Sequence, residues 1–201
     1  MNKHTTFEQK LYDAVWIAHS LFDRGKTSGS SANLSFLHDG NIYITASGTC
    51  FGTLSQDDFA AISMEGERLN SLKPSKELML HKYYYQHAPD IQAVIHTHGP
   101  YAVLWSCRKF DRNTNIIPSY TPYLGMKVGK IGLIPFAKPG SEELFEAFKN
   151  NLDTGDAYLL KNHGGIVGGT SLMDAFFGIE ELEESAKIAC MIEKSAEYEL
   201  I

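Results

Sequence analysis

The stretch Ile91-Gln92-Ala93-Val94-Ile95-His96-Thr97-His98 places two histidines at alternate positions at the end of an apolar run. A short apolar run of this kind is typical of a buried strand, and the period of two puts His96 and His98 on the same face. Neutral imidazoles are preferred ligands of zinc-type divalent cations. The spacing therefore indicates a metal site, although a single histidine at a strand end is more often a hydrogen-bonded structural residue.

The amino-acid composition limits the classes of protein to which the chain can belong. The chain has 201 residues, 43% of them hydrophobic and 21% charged, and a formal net charge of -6. This predicts one globular domain over residues 1–201. The acidic balance argues against general binding to nucleic acids or anionic membranes, but a small phosphorylated ligand is compatible with it. Without an apolar signal core near the start or an apolar membrane span, we expect a cytoplasmic protein.

Three cysteines, Cys50, Cys107 and Cys190, are widely spaced and odd in number. This favours ordinary thiols over a disulfide framework.

Apolar residues spaced by three and four predict helices. These cover residues 7–24, 101–107, 141–150 and 171–194, and a further helix is predicted to open at Pro74 and to stop at Pro89. The apolar face of the first helix is predicted to contain Leu11, Val15, Ala18 and Phe22, and that of the last Ala175, Ile179, Leu182, Ala186 and Ala189.

Short apolar or alternating runs predict the strands. A hairpin is expected from residues 34–37 and 42–45, with further strands over 91–98, 131–136 and 157–160. Ser55 is expected to be the N-cap of a segment over residues 55–59, and residues 60–72 are predicted to form a strand and a turn. Residues 110–130 are predicted to be irregular and suit an active-site or subunit-interface loop.

Two further candidate ligands accompany the paired histidines. Glu77 is placed in the first turns of a helix, and His163 follows the strand over 157–160 in Asn162-His163-Gly164-Gly165. One carboxylate with three imidazoles suits a zinc-type ion. Taken alone, Glu77 would be a solvated helix charge. The remaining histidines have the pattern of surface or helix-face residues: His4, His19, His38, His81 and His87.

Three motifs together resemble the class II aldolase and adducin-head superfamily over nearly the whole chain. They are Pro74-Ser75-Lys76-Glu77, Ala93-Val94-Ile95-His96-Thr97-His98 and Leu160-Lys161-Asn162-His163-Gly164. The resemblance implies a three-layer αβα fold with a central, mainly antiparallel sheet, and a homotetramer with its sites at subunit interfaces. It also implies one Zn²⁺ per subunit, with Mn²⁺ or Co²⁺ as alternatives, held by Glu77, His96, His98 and His163. Glu77 would then act as acid and base.

The resemblance further implies a phosphate pocket made from Asn33, Ser47, Gly48, Ser75 and Lys76. Backbone amides at a turn and at a helix N-terminus suit an anion. The alternative is that the asparagine and the two serines only shape turns or cap a helix, and that the lysine is a solvated charge, or one that meets a substrate carboxylate.

Tyr123 matches a tyrosine that in the aldolases handles a proton at the aldehyde oxygen from a neighbouring subunit. The alternative is that Tyr123 is a packed interface aromatic.

Further segments resemble one branch, the 3-oxo-tetronate 4-phosphate decarboxylases: Thr121-Pro122-Tyr123, Met126-Lys127-Val128-Gly129, Lys138-Pro139-Gly140 and residues 180–187. This branch implies conversion of the oxo acid to dihydroxyacetone phosphate and CO2 through a metal-bound enediolate. The alternative is a sugar-phosphate aldolase of the fuculose 1-phosphate type, which forms the same enediolate. The epimerase branch, with aspartate in place of Glu77, and the dehydratase branch, with a cysteine-bearing loop, rank lower. A non-catalytic, adducin-like interaction protein is disfavoured by the intact ligand set.

Overall fold

The computed structural model describes residues 6–193, which contain one seven-stranded mixed sheet. The strands are β1 (Asn33–His38), β2 (Asn41–Thr45), β3 (Phe59–Ser63), β4 (Ala93–Thr97), β5 (Ile131–Ile134), β6 (Ala157–Leu160) and β7 (Gly164–Gly169). Their order is β3-β2-β1-β4-β7-β6-β5, and every neighbouring pair in this described part of the chain is antiparallel except β5 and β6. The predicted, mainly antiparallel central sheet is therefore confirmed.

Helices cover both faces of this sheet. They are α1 (Phe7–Asp23), α2 (Leu78–His87), α3 (Pro100–Ser106), α4 (Tyr123–Lys127), α5 (Glu142–Lys149) and α6 (Leu172–Ile192). Helices α1, α3, α4 and α6 contribute to one apolar core, while α2 and α5 contribute to a second core on the opposite face. The three-layer αβα arrangement is confirmed.

Strand β4 shows how alternation divides the two cores. Ala93 and Ile95 belong to the core beneath α1 and α6, whereas Val94 belongs to the core beneath α2. Because side chains alternate along a strand, His96 points to the same side as Val94. The histidine therefore faces the layer that contains α2.

The helix ends follow local chemistry. The side chains of Thr6, Ser141 and Ser171 accept hydrogen bonds from the first turns of α1, α5 and α6. Ser55 caps a 3₁₀ turn over Gln56–Asp58, as predicted. Gly25, at φ 66°, follows the end of α1.

The first and last helices test the predicted buried faces. All five residues predicted for α6 are buried. In α1, Val15 and Phe22 are partly buried and pack against the core, and the fully buried set is Leu11, Ala14, Ile17, Ala18 and Leu21. Lys194, at the predicted end of the last helix, and His4 lie outside the described residues.

Pro74 does not open a helix, and that prediction is wrong. It forms an isolated bridge with Ala46, and α2 begins at Leu78. The Ser47 amide donates to the Lys73 carbonyl at 2.8 Å, and the Ser75 amide to the Thr45 carbonyl at 3.1 Å. These bonds hold the backbone beside the end of β2, so it cannot coil until Glu77. A second difference is α4, which lies within the segment predicted to be irregular.

Strand β7 was not predicted, because four of its six residues are glycine and glycine weakens a strand. The packing explains this composition at two positions. A Cβ on Gly169 would lie 2.2 Å from the Ala175 backbone nitrogen, and one on Gly164 would lie 2.3 Å from the Thr97 carbonyl oxygen. Here glycine permits α6 and the end of β4 to approach the strand.

Within residues 6–193 no helix combines the length and the apolar character needed to cross a membrane. The same residues contain no disulfide.

Candidate metal centre and substrate cavity

Three histidines meet where β4 and β6 end and β7 begins. His96 lies in β4, His98 directly follows it, and His163 occupies the turn between β6 and β7, next to Asn162 at φ 55°. The ring centroids are 4.7–4.9 Å apart, and one nitrogen of each ring lies within 4.8 Å of the others. Pairing of β4 with β7 brings these segments of distant sequence together.

Glu77 completes the group. It stands at the N-cap of α2 rather than in the first turns of the helix, and it is only 2% exposed. Its Oε2 is 3.4 Å from His96 Nε2, and its Oε1 is 3.4 Å from His163 Nε2. The structure thus brings together all four residues that the sequence nominated as metal ligands.

The three imidazoles are neutral at physiological pH. Burial lowers the pKa of His96 to about 3, and it also lowers the pKa of His98 and of His163. His96 Nδ1 donates to the Gly165 carbonyl at 2.9 Å, which leaves the lone pair on Nε2 directed at the cluster. The contacts of Glu77 with these rings are consequently not ion pairs.

The arrangement fits a cation. Among the described residues, Glu77 Oε1 and both ring nitrogens of His163 are buried without a hydrogen-bond partner. An unsatisfied buried polar atom costs about 1–3 kcal/mol, so such atoms seldom cluster without a function. Three imidazole nitrogens and one carboxylate suit Zn²⁺ or a similar ion. We conclude that the donor set can hold a divalent metal.

A buried hydrogen-bonded chain supports Glu77 from behind. Asn33 Nδ2 donates to Glu77 Oε2 at 3.0 Å, and Asn33 Oδ1 is 2.5 Å from His81 Nε2. Ser35 Oγ is 2.7 Å from His81 Nδ1 and 2.6 Å from the Tyr85 hydroxyl. All five residues are buried. This buried chain from Tyr85 to Glu77 is specified by alternation in β1 and by a polar stripe along α2.

The sequence analysis did not identify His81 and Tyr85 as members of this hydrogen-bonded chain. His81 is a helix-face residue, as expected, but it is fully buried rather than on the surface. The spacing of Glu77, His81 and Tyr85 at every fourth residue puts them on one face of α2. A polar stripe on a helix that covers a sheet was a signal that could have identified His81 and Tyr85.

A cavity of about 340 Å³ opens beside the four candidate ligands. All five residues nominated for substrate binding line it: Asn33, Ser47, Gly48, Ser75 and Lys76. Glu77, His98 and His163 share the same wall. The cavity therefore connects the candidate metal centre with the candidate phosphate pocket.

Two adjacent backbone segments form one side of this cavity. Gly48 adopts φ 88°, within a turn in which the Thr49 amide donates to the Ala46 carbonyl at 3.3 Å. The Ser75 hydroxyl accepts from the Glu77 amide at 3.3 Å, so Ser75 supports a turn before α2 rather than capping the helix. Hydroxyls and a glycine turn beside a lysine are suitable partners for an anion.

The cavity has other lining residues that the sequence reasoning did not select. Ser30 and Ser31 come from the serine-rich stretch before β1, Thr49 from the glycine turn, and Pro139 from a Lys-Pro-Gly loop. The run of hydroxyl residues before Asn33 was the available signal. Tyr123 is not among the lining residues; it is the first residue of α4 and is 57% exposed.

The chain is similar to known proteins over most of its length. The chain is 40% identical over 175 residues to the 3-oxo-tetronate 4-phosphate decarboxylase of Haemophilus influenzae, covering 87% of this chain and 83% of that protein. It is 33% identical over 178 residues to the L-fuculose phosphate aldolase of Methanococcus vannielii, covering 89% and 94%. The crystal structure of YgbL from Klebsiella pneumoniae superposes with a TM-score of 0.91 at 36% identity, covering 96% and 93%.

The match to a family model is equally extensive. Residues 13–190 match the Class II Aldolase and Adducin N-terminal domain, a span that includes every candidate site residue and all seven strands. This chain therefore belongs to the class II aldolase and adducin N-terminal domain family.

Proposed function

We propose that the protein is a metal-dependent lyase that decarboxylates a 3-oxo-tetronate 4-phosphate to dihydroxyacetone phosphate and CO2. The observation that carries this proposal is the position of the Glu77 carboxylate, which is buried beside three neutral imidazoles and lines the cavity. One of its oxygens has no hydrogen-bond partner within the described residues. The relatives named as decarboxylases support the choice of reaction, at 35–40% identity over most of the chain.

The substrate chemistry matches this site. Decarboxylation breaks the C1–C2 bond of a β-keto acid and leaves its electron pair at C2, conjugated with the C3 carbonyl. A Zn²⁺, or alternatively Mn²⁺ or Co²⁺, held by Glu77, His96, His98 and His163 would supply Lewis-acid polarisation of that carbonyl. Glu77, or water that Glu77 positions, delivers the solvent-derived proton to C2, which completes the product.

The remaining cavity residues bind and orient. Ser47, Gly48, Ser75 and Lys76 hold the phosphate at C4, and the Asn33 amide, with one of its two N–H groups given to Glu77, has one left for the substrate. Fixing the phosphate places C2 beside Glu77 and converts binding into orientation. Lys76 also attracts the carboxylate of an acid substrate.

The reaction is tested by supplying 3-oxo-tetronate 4-phosphate to zinc-loaded protein and measuring dihydroxyacetone phosphate with a coupled reductase. Fuculose 1-phosphate is tested in parallel. Product from the oxo acid alone supports the decarboxylase. If metal-bound protein released no dihydroxyacetone phosphate from either substrate, both lyase reactions would be contradicted.

The second candidate is a class II sugar-phosphate aldolase that cleaves a ketose phosphate to dihydroxyacetone phosphate and an aldehyde. It is favoured by the archaeal relative named L-fuculose phosphate aldolase, at 33% identity. Release of dihydroxyacetone phosphate from fuculose 1-phosphate alone would support the aldolase function. A non-catalytic, adducin-like role is disfavoured because the four candidate ligands converge.

We also propose a cytoplasmic homotetramer of single-domain chains, residues 1–201, with active sites at subunit interfaces. Large apolar side chains on α1, α4 and α6 support this assembly because they are exposed in one chain: Trp16, Tyr123, Met126 and Phe177. Tyr123 then acts at a neighbouring subunit's cavity. Light scattering should give about four times the chain mass of 22.4 kDa, and a monomer would contradict the assembly.

A further inference from the structure

We propose that His81, supported by Ser35 and Tyr85, is a positioning residue that fixes the Asn33 amide so that its NH2 group faces Glu77. The inference deepens the proposed function, on which it rests for the role of Glu77. None of the three supporting residues lines the cavity, so they act only through Asn33.

The hydrogen bonds of the buried chain run in one consistent direction, from Tyr85 towards Glu77. Burial lowers the pKa of His81 to about 3, so its ring is neutral and carries one N–H. Burial raises the pKa of Tyr85, so its hydroxyl keeps its proton. Because Asn33 Nδ2 donates to Glu77, Asn33 Oδ1 faces His81 Nε2, so that nitrogen carries the ring N–H, and Nδ1 accepts from Ser35 Oγ at 2.7 Å. Tyr85 then donates to Ser35.

The same hydrogen bonds oppose rotation of the Asn33 amide. If the amide rotated by half a turn, Oδ1 would face Glu77 Oε2, and two acceptors would lie at the present 3.0 Å separation. The NH2 group would at the same time face the Nε2–H of His81. Both contacts become unfavourable together, so the imidazole and the carboxylate enforce the same orientation.

The buried chain positions groups and does not carry protons. The amide of Asn33 interrupts it, because an amide nitrogen does not readily give up a proton and take another. Its consequence for Glu77 is geometric. Oε2 is held by Asn33, whereas Oε1, which has no hydrogen-bond partner within the described residues, is left for the metal or the substrate.

A matched pair of variants tests the proposal. Glutamine and methionine have similar length and volume, but only glutamine retains an N–H near the position of Nε2. We expect His81→Met to weaken Co²⁺ binding by roughly tenfold, because it releases Asn33, the outer partner of the candidate ligand Glu77, and such partners typically contribute 10–100-fold. His81→Gln should stay within about threefold of the parent. Affinity is measured by optical titration, and unfolding temperatures of the metal-free proteins are compared.

The outcomes separate positioning from packing. Selective loss in His81→Met, with similar unfolding temperatures for the two metal-free variants, supports the proposal. Equal affinities in all three proteins would overturn it, and so would equal losses in both variants, since those indicate a role for the ring itself. If His81→Met fails to fold, Ser35→Ala replaces it. That change should weaken Co²⁺ binding severalfold, and parental affinity would overturn the proposal.

The same experiment distinguishes this inference from the proposed function. If the parent binds Co²⁺ but releases no dihydroxyacetone phosphate from the oxo acid, the decarboxylase assignment fails and the titrations still decide the role of His81. If the parent binds no Co²⁺, both fail.

Discussion

The Nε2 atoms of His96 and His98 lie 3.0 Å apart, next to the Glu77 carboxylate. Burial lowers the pKa of both rings, so both are neutral, and each neutral imidazole has one nitrogen lone pair to offer to a cation. A cation between the donors satisfies the rings and the carboxylate at once.

Zn²⁺ should raise the unfolding temperature of chelator-treated protein. At a thousandfold excess over its dissociation constant, a ligand that binds only the folded state adds about 4 kcal/mol, which corresponds to roughly 10 °C for a chain of this size. His98→Ala should abolish most of this shift. The control His87→Ala removes a histidine of α2 whose only ion-pair contact in the described structure is Asp153, and it should retain the shift. Calorimetry provides the measurement.

Glu77→Gln should reduce turnover by at least about 100-fold, because general acid–base groups contribute 10²–10⁴-fold. Metal binding should weaken less, since the three imidazoles remain. Turnover and bound metal are measured on the same preparation. Glu65→Gln, a change at a carboxylate on an exposed turn, is the matched control. Turnover at the parental level in Glu77→Gln would rule out the acid–base role.

Gly164→Ala should lower metal affinity. A Cβ at this position would lie 2.3 Å from the Thr97 carbonyl oxygen and 3.1 Å from His98 Cδ2, so the end of β4 must move and shift the imidazole. Gly125→Ala in α4 is the control because no atom lies within 4 Å of its added Cβ. Isothermal titration with Zn²⁺ should show a loss for Gly164→Ala alone. Equal affinities would mean that this close approach does not position the site.

The metal-free protein should lose stability as the pH falls below about 6.5. His81 and His96 have a pKa of about 3 when folded and about 6.5 when unfolded, so the unfolded chain binds more protons between these values. Each contributes a loss on the order of 2 kcal/mol on going to pH 5. Urea titrations across this range measure the slope, and His81→Gln should reduce it by about one proton. An unchanged slope would contradict the lowered pKa.

Lys76→Met should weaken competitive inhibition by inorganic phosphate by roughly tenfold if the ammonium contacts the phosphate. If it instead contacts the substrate carboxylate, phosphate inhibition stays unchanged and the KM for the oxo acid rises. Steady-state kinetics with both compounds separate the two contacts. Lys109→Met, a change at an exposed lysine outside the cavity lining, should alter neither value.

Sequence reasoning predicted the layers and nominated four residues that the fold brings together, for a simple physical reason. The strand period fixed the relation of His96 to His98, and the spacing of apolar residues predicted the buried face of α6. The start of α2 could not be predicted, because it depends on hydrogen bonds from the end of β2. Strand β7 was hidden by glycines whose absent side chains make room for distant elements.

The buried chain behind Glu77 was also outside the reach of residue types alone. Residue type alone does not show whether a histidine on a helix is buried, because burial depends on how the helix packs on its sheet. What places His81 inside is the packing of α2 against the face of β1 that contains Asn33 and Ser35, to which His81 is hydrogen-bonded. The sequence contained both patterns, but their meeting is a property of the tertiary fold.

The register of β1 against β4 pairs Asn33 with His96. Asn33, which donates to the Glu77 carboxylate, and His96, a candidate metal ligand, therefore lie on adjacent strands with no loop between them. A single-residue insertion within β1 would turn Asn33 to the opposite face. Evolution can lengthen the loops around this cavity to alter its substrates, but the spacing within these two strands is not open to such change.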